Sequence, residues 1–85
     1  METKEQWEAR LKLTEEILSE AISIEEKKAK LISIPRLEVA LTVTPEGECT
    51  LLVHGSDFVL EKFTNEVIAE IYIRKHNFCL IKGIN

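Results

Sequence analysis

The feature that most constrains this chain is an amphipathic run from Thr3 to Ile32, halted by the pair Ile34-Pro35. Proline lacks a backbone donor and disfavours helical dihedrals in the residue before it, so a helix must stop by about Ser33. Thr3 followed by Gln6 has the form of a capping box, which sets the start. One long helix over about residues 3–32 is expected.

At 100° per residue, Trp7, Leu11, Leu18, Ala21, Ile22, Ala29 and Ile32 fall on one arc, and Leu13, Ile17, Ile24 and Leu31 on a second beside it. A surface helix covering one core needs a single stripe a little over about 100° wide, so the second arc points to a second partner surface. Length agrees: such a helix reaches roughly 43 Å, whereas a sphere of this chain's size is about 30 Å across. Ser23 with Glu26 repeats the capping-box pattern. Either a new helix starts at Ile24, or Ser23 is a solvent-facing residue inside one helix. A break there would let the second piece fold back and remove the surplus arc.

After Pro35 the period changes. Leu37, Val39, Leu41 and Val43 alternate with Glu38, Ala40 and Thr42, which is the pattern of a half-buried strand. Thr44-Pro45-Glu46-Gly47 is a turn signal, with Pro45 set for the first corner and Gly47 for a left-handed position. Pairing Thr44 with Glu48 sets Val43 against Cys49, Leu41 against Leu51 and Val39 against Val53. Thr42 then faces Thr50, Ala40 faces Leu52 and Glu38 faces His54. Gly55-Ser56-Asp57 reads as a strand end, with Ser56 as N-cap of a second helix over about 57–75 carrying the stripe Leu60, Phe63, Val67 and Ile71. Its β-branched tail, Val67 to Ile73, also fits a strand. Arg74, Lys75 and His76 before Asn77 suit a helical C-terminus, and Phe78-Cys79-Leu80-Ile81 reads as a last strand, about 78–82.

The resulting expectation is one two-layer α+β domain over residues 1–85. Its order is α-β-β-α-β, with a three-stranded, mostly antiparallel sheet, the Leu37–Val43 strand central, and two helices on one face. A chain of 85 residues has a thin stability margin, which favours oligomerisation.

Composition narrows the function classes. The 45 % hydrophobic and 31 % charged fractions are those of an ordinary globular protein. Net charge is -4, with eight acids to six bases in residues 1–33 and seven to five in 34–85. No basic face for a nucleic-acid duplex is apparent. The polar N-terminus, Met1-Glu2-Thr3-Lys4-Glu5, is unlike a signal peptide, and no apolar run spans a membrane, so a cytoplasmic location is expected.

Cys49, His54, His76 and Cys79 are the only thiol and imidazole groups and match tetrahedral zinc in number. Their spacing does not match a standard site, and Cys49 and His54 point to opposite faces of a regular strand, so they are weak metal candidates. The blander reading is a buried Cys49, a His54 paired with Glu38 and a His76 at a helix end. His54, Ser56 and Asp57 are residue types of a hydrolytic triad without its geometry. The acid pairs Glu15-Glu16 and Glu25-Glu26 lie on solvated faces. No phosphate-binding glycine loop is present, and no cofactor or catalytic activity is expected.

The expectation is a non-catalytic protein-interaction module, an adaptor, inhibitor or regulator. It binds itself as a homodimer through the first helix, and a further protein besides, with Trp7, Leu13, Ile17, Ile24 and Leu31 at the interface. The alternatives are a nucleic-acid-associated or DNA-mimicking regulator, with its acidic face as decoy, and a small metal-binding module.

Overall fold

The amphipathic run forms two helices, α1 (Lys4–Ser19) and α2 (Ile24–Ile32), in the computed structural model, which describes residues 2–81. The Thr3 capping box is present in both directions, Thr3 Oγ1 accepting from Gln6 N at 3.1 Å and Gln6 Oε1 from Thr3 N at 3.0 Å. The expected unbroken helix over 3–32 is corrected by the backbone at Glu20, which is extended, and by Ser23, whose hydroxyl accepts from Glu26 N at 3.1 Å. Ser23 thereby satisfies one of the amide groups that a helix start leaves open, and α2 begins at Ile24.

Lys27 and Lys30 hold the turn between the helices. Lys27 Nζ donates to the Leu18 carbonyl at 2.8 Å, and Lys30 Nζ pairs with Glu20 Oε2 at 2.8 Å. On α1 the buried line is Ile17, Arg10, Thr14, Leu18 and Leu11, with Thr14 and Ile17 buried and the others half-buried. That line spans about 120° and fills the gap between the two apolar arcs. Thr14 Oγ1 donates back to the Arg10 carbonyl at 2.8 Å, and the Arg10 guanidinium pairs with Glu2. The two arcs are thus the margins of one face whose middle is polar.

Contacts group the chain into two compact units, Met1–Ile34 and Pro35–Asn85. The second contains β1 (Glu38–Val43), β2 (Cys49–Val53), β3 (Val59–Phe63), α3 (Glu66–Lys75) and β4 (Cys79–Leu80). These form a four-stranded mixed sheet in the order β3-β2-β1-β4, with three helices in the described chain, so the α+β class holds. The three-stranded sheet, the two-helix count and the α-β-β-α-β order do not.

The β1–β2 hairpin has the expected register at all five pairs, from Val39 with Val53 to Val43 with Cys49. Thr44 N donates to Glu48 O at 2.9 Å, Gly47 N to Thr44 O at 2.9 Å, and Gly47 takes φ 91°, the left-handed position the turn required. Strand β1 lies between β2 and β4, the two strands expected to flank it, while β3 adds a fourth beyond β2.

Residues 57–65 are where the sequence reading fails. The expected helix over 57–75 starts instead at Glu66, because Gly55 and Ser56 close a second hairpin. Gly55 has φ 80°, Val53 N donates to Phe58 O at 3.0 Å, and the Ser56 hydroxyl accepts from Phe58 N at 3.0 Å rather than capping a helix. Strand β3 pairs antiparallel with β2, with a register shift between Leu51 and Leu52. Glu61 faces Leu51 and Val59 faces Leu52, so Leu60 is the extra residue of a bulge, and it is fully buried.

Asn65 then caps α3, its Oδ1 accepting from Ile68 N at 2.9 Å. The helix ends in a Schellman turn: Phe78 N reaches Ile73 O at 3.0 Å, Asn77 N reaches Arg74 O at 3.1 Å, and Asn77 is left-handed at φ 54°. Helix α3 packs on β2 and β3 through Ala69 and Ile73, and Tyr72 joins Phe63, His76 and Phe78 in a ring cluster, 5.2 Å, 4.4 Å and 6.2 Å between centroids. Beyond it β4 runs parallel to β1, with Cys79 N on Leu37 O and Ile81 N on Val39 O, both at 2.8 Å. Position 82 of the expected last strand lies outside the described residues.

Candidate functional site

The five residues expected at an interface separate into two groups. Ile17 and Leu31 are buried within the chain, at 5 % and 0 % exposure. Trp7, Leu13 and Ile24 are exposed, the last on α2 rather than on α1. Breaking the run at Ser23 therefore separates the members of the second arc, and two of its four residues, Leu13 and Ile24, remain accessible.

The metal candidates do not converge. The Cys49 side chain is buried in β2, with its thiol 3.6 Å from the Gly47 carbonyl. His54 lies beyond the end of the same strand, its Nδ1 3.9 Å from Glu38 Oε1, the cross-strand neighbour the register required. His76 is the C-cap of α3 and stacks on Phe78 at 5.5 Å between centroids, while Cys79 is in β4. Among the described residues no three His, Cys, Asp or Glu side chains form a group suited to a metal ion. Burial raises the Cys49 thiol pKa above the ordinary thiol value, and the Glu66 carboxylate adds to the effect, so Cys49 is held as the unreactive thiol. The Ser56 hydroxyl is engaged in the β2–β3 turn, accepting from Phe58 N, which is a structural role for the serine of the His54, Ser56 and Asp57 set.

A different surface emerges on α3. Val67, Ile68 and Ile71 are 65 %, 48 % and 60 % exposed. Their three- and four-residue spacings make them neighbours on one helix face. The buried face of the same helix is Ala69 and Ile73, so the apolar triplet points away from the sheet. Single exposed apolar residues such as Val43 and Leu80 are ordinary on a protein surface, whereas three that adjoin one another are a feature to be explained. Helix propensity does not explain them: valine and isoleucine cost a few tenths of a kcal/mol relative to alanine in a helix. They are also stiff at χ1, so they lose little side-chain freedom when covered.

Charges frame this triplet in order. Glu66, Glu70 and Arg74 form one row at four-residue spacing, and Val67, Ile71 and Lys75 form the adjacent row, every one of them exposed. Glu66 and Glu70 run beside the apolar residues in the first part of the helix, and Arg74 and Lys75 follow at its C-terminal end.

The sequence places Val67 and Ile71 on one helical stripe with Leu60 and Phe63, by their three- and four-residue spacing. The stripe is accidental, since Leu60 and Phe63 belong to a strand. The available signal was Thr64-Asn65 followed by Glu66, a helix start that resets the rotational phase of everything after it.

No family model, curated protein or solved structure matches this chain. Among the described residues no helix is long and apolar enough to cross a membrane.

Proposed function

We propose that this chain is a non-catalytic protein-interaction module whose contact surface is the outward face of α3. The observation that carries this reading is the exposure of three adjoining β-branched residues, Val67, Ile68 and Ile71, on a helix whose other side already covers the sheet. An apolar helix stripe rimmed by charge is the form in which a helix docks against a second protein surface. The first helix retains Trp7 and Leu13 as exposed apolar residues, but with Ile17 buried it supports self-association less well than α3 does. Adaptor, inhibitor and regulator all fit such a surface.

A photo-crosslinking amino acid at position 71, with the same group at Glu46 in the exposed β1–β2 turn as control, tests the reading. Capture of a protein species at 71 and not at 46 is the expected result. Capture of nucleic acid or lipid alone, or of nothing, overturns it.

A further inference from the structure

We infer that the occupant of the α3 face is a second copy of this chain, with the two α3 helices packed antiparallel about a twofold axis. This rests on the protein-binding reading above and names its partner.

The argument is one of charge order. Glu66 and Glu70 occupy the first half of α3, and Arg74 and Lys75 its end, on or beside the rows that carry Val67 and Ile71. In an antiparallel pair crossing near Ile71, the acidic first half of each helix meets the basic end of the other, Ile71 covers Ile71, and Val67 and Ile68 lie against the alkyl stems of Lys75 and Arg74 of the second copy. A parallel pair sets like charges together, which costs stability and favours the wrong register. A surface that is complementary to its own copy after a half-turn is what a twofold interface requires. The same polarity complements the helix dipole, which accounts for the charges but leaves Val67, Ile68 and Ile71 uncovered.

Size sets the strength. A ten-residue helix is about 15 Å long, and its face is smaller than the roughly 800 Å² per partner of a standard stable interface. The dimer is accordingly a weak, reversible one.

Sedimentation velocity from about 10 to about 500 µM brackets an association of this size. The expected result is a shift from monomer to dimer across the range. Two charge-reversed proteins, one carrying Glu66→Lys and Glu70→Lys, the other Arg74→Glu and Lys75→Glu, should each lose at least about tenfold in self-affinity, and their mixture should recover it as a heterodimer. Circular dichroism checks that each is folded. If the first unfolds, the single changes Glu70→Lys and Arg74→Glu carry the same comparison without touching Glu66.

A wild-type protein that stays monomeric throughout overturns the inference, as does a dimer that persists in both charge variants and in Ile71→Glu. A monomer whose crosslinker at 71 captures a different protein removes the second copy and leaves the protein-binding reading intact. A monomer whose crosslinker joins only residues of its own chain removes both.

Discussion

Lys27 Nζ donates to the Leu18 carbonyl at 2.8 Å, so a side chain near the start of α2 supplies the cation that the last turn of α1 lacks. The bond satisfies a carbonyl that a helix end leaves without an intrahelical partner and places positive charge at the negative end of the α1 dipole. Replacing Lys27 with methionine keeps the apolar stem and removes the ammonium. Urea unfolding should show a loss of about 1 kcal/mol, while Lys12→Met on the exposed side of α1 should stay within about 0.5 kcal/mol of the parent.

Ile17 and Ile24 share an apolar arc if the run is drawn as one helix, and they differ sharply in the folded chain, at 5 % and 68 % exposure. Ile17→Ala should cost about 2–5 kcal/mol, the range for truncating a buried isoleucine. Ile24→Glu puts an acid at the first position of α2, where the dipole favours it, and should be neutral or slightly stabilising. Equal losses from the two changes in thermal melts would mean that the helix does not break at Ser23.

Leu60 tests the bulge. Its side chain is fully buried although it is the extra residue of β3, so Leu60→Ala should cost about 2–5 kcal/mol, and Lys62→Ala two positions on should cost almost nothing. If 57–75 were a continuous helix, the penalty for Leu60 would be matched at Val67 and Ile71. Chemical denaturation of the four alanine variants separates these outcomes.

Alkaline pH should weaken the fold from about pH 9 upward. Burial lifts the Cys49 thiol above its ordinary 9.0, with Glu66 adding to it, and burial together with Glu61 lifts the Tyr72 hydroxyl above 10.0. Both groups are neutral when protonated, so below the unfolded values their contribution is fully present. Above those values the unfolded chain releases protons that the folded chain keeps, and stability falls as pH rises through the folded pKa. Unfolding free energy measured between about pH 8 and 11 should fall less steeply in Cys49→Ala and in Tyr72→Phe than in the parent. A thiol reagent at neutral pH should label the half-buried Cys79 and spare Cys49 until the chain unfolds.

The β1–β2 hairpin was legible in full because three independent constraints agreed there: strict alternation, a Pro-Glu-Gly turn and a side-chain pairing that a one-residue slip destroys. Thr3 and Asn77 were legible for a similar reason, since caps are local chemistry. Segment 57–65 was not, because the bulge at Leu60 disrupts the period of two on which a strand is recognised, and Leu60 and Phe63 then fall into helical spacing with Val67. On α1 the buried face was missed because Arg10 and Thr14 lie at its centre, and a count of apolar residues sees only its two margins. The α3 surface was illegible for the reverse reason. Val67, Ile68 and Ile71 are apolar without being core, and only the position of the Asn65 cap shows which way they point.

Within the described residues, β4 is what covers one edge of β1. Cys79 and Leu80, with the Ile81 amide on Val39 O and the Arg36 amide on Asn77 O, are the cover that the described chain gives the outer edge of β1. An alternating apolar strand with open backbone groups is a template for any extended chain it meets. Among the described residues, opening that ladder separates two residue pairs, against five in the β1–β2 hairpin. Detachment of β4 is therefore the expected gate to aggregation: a change that loosens Phe78 to Leu80 while leaving melting untouched should raise light scattering in concentrated solution faster than the parent does.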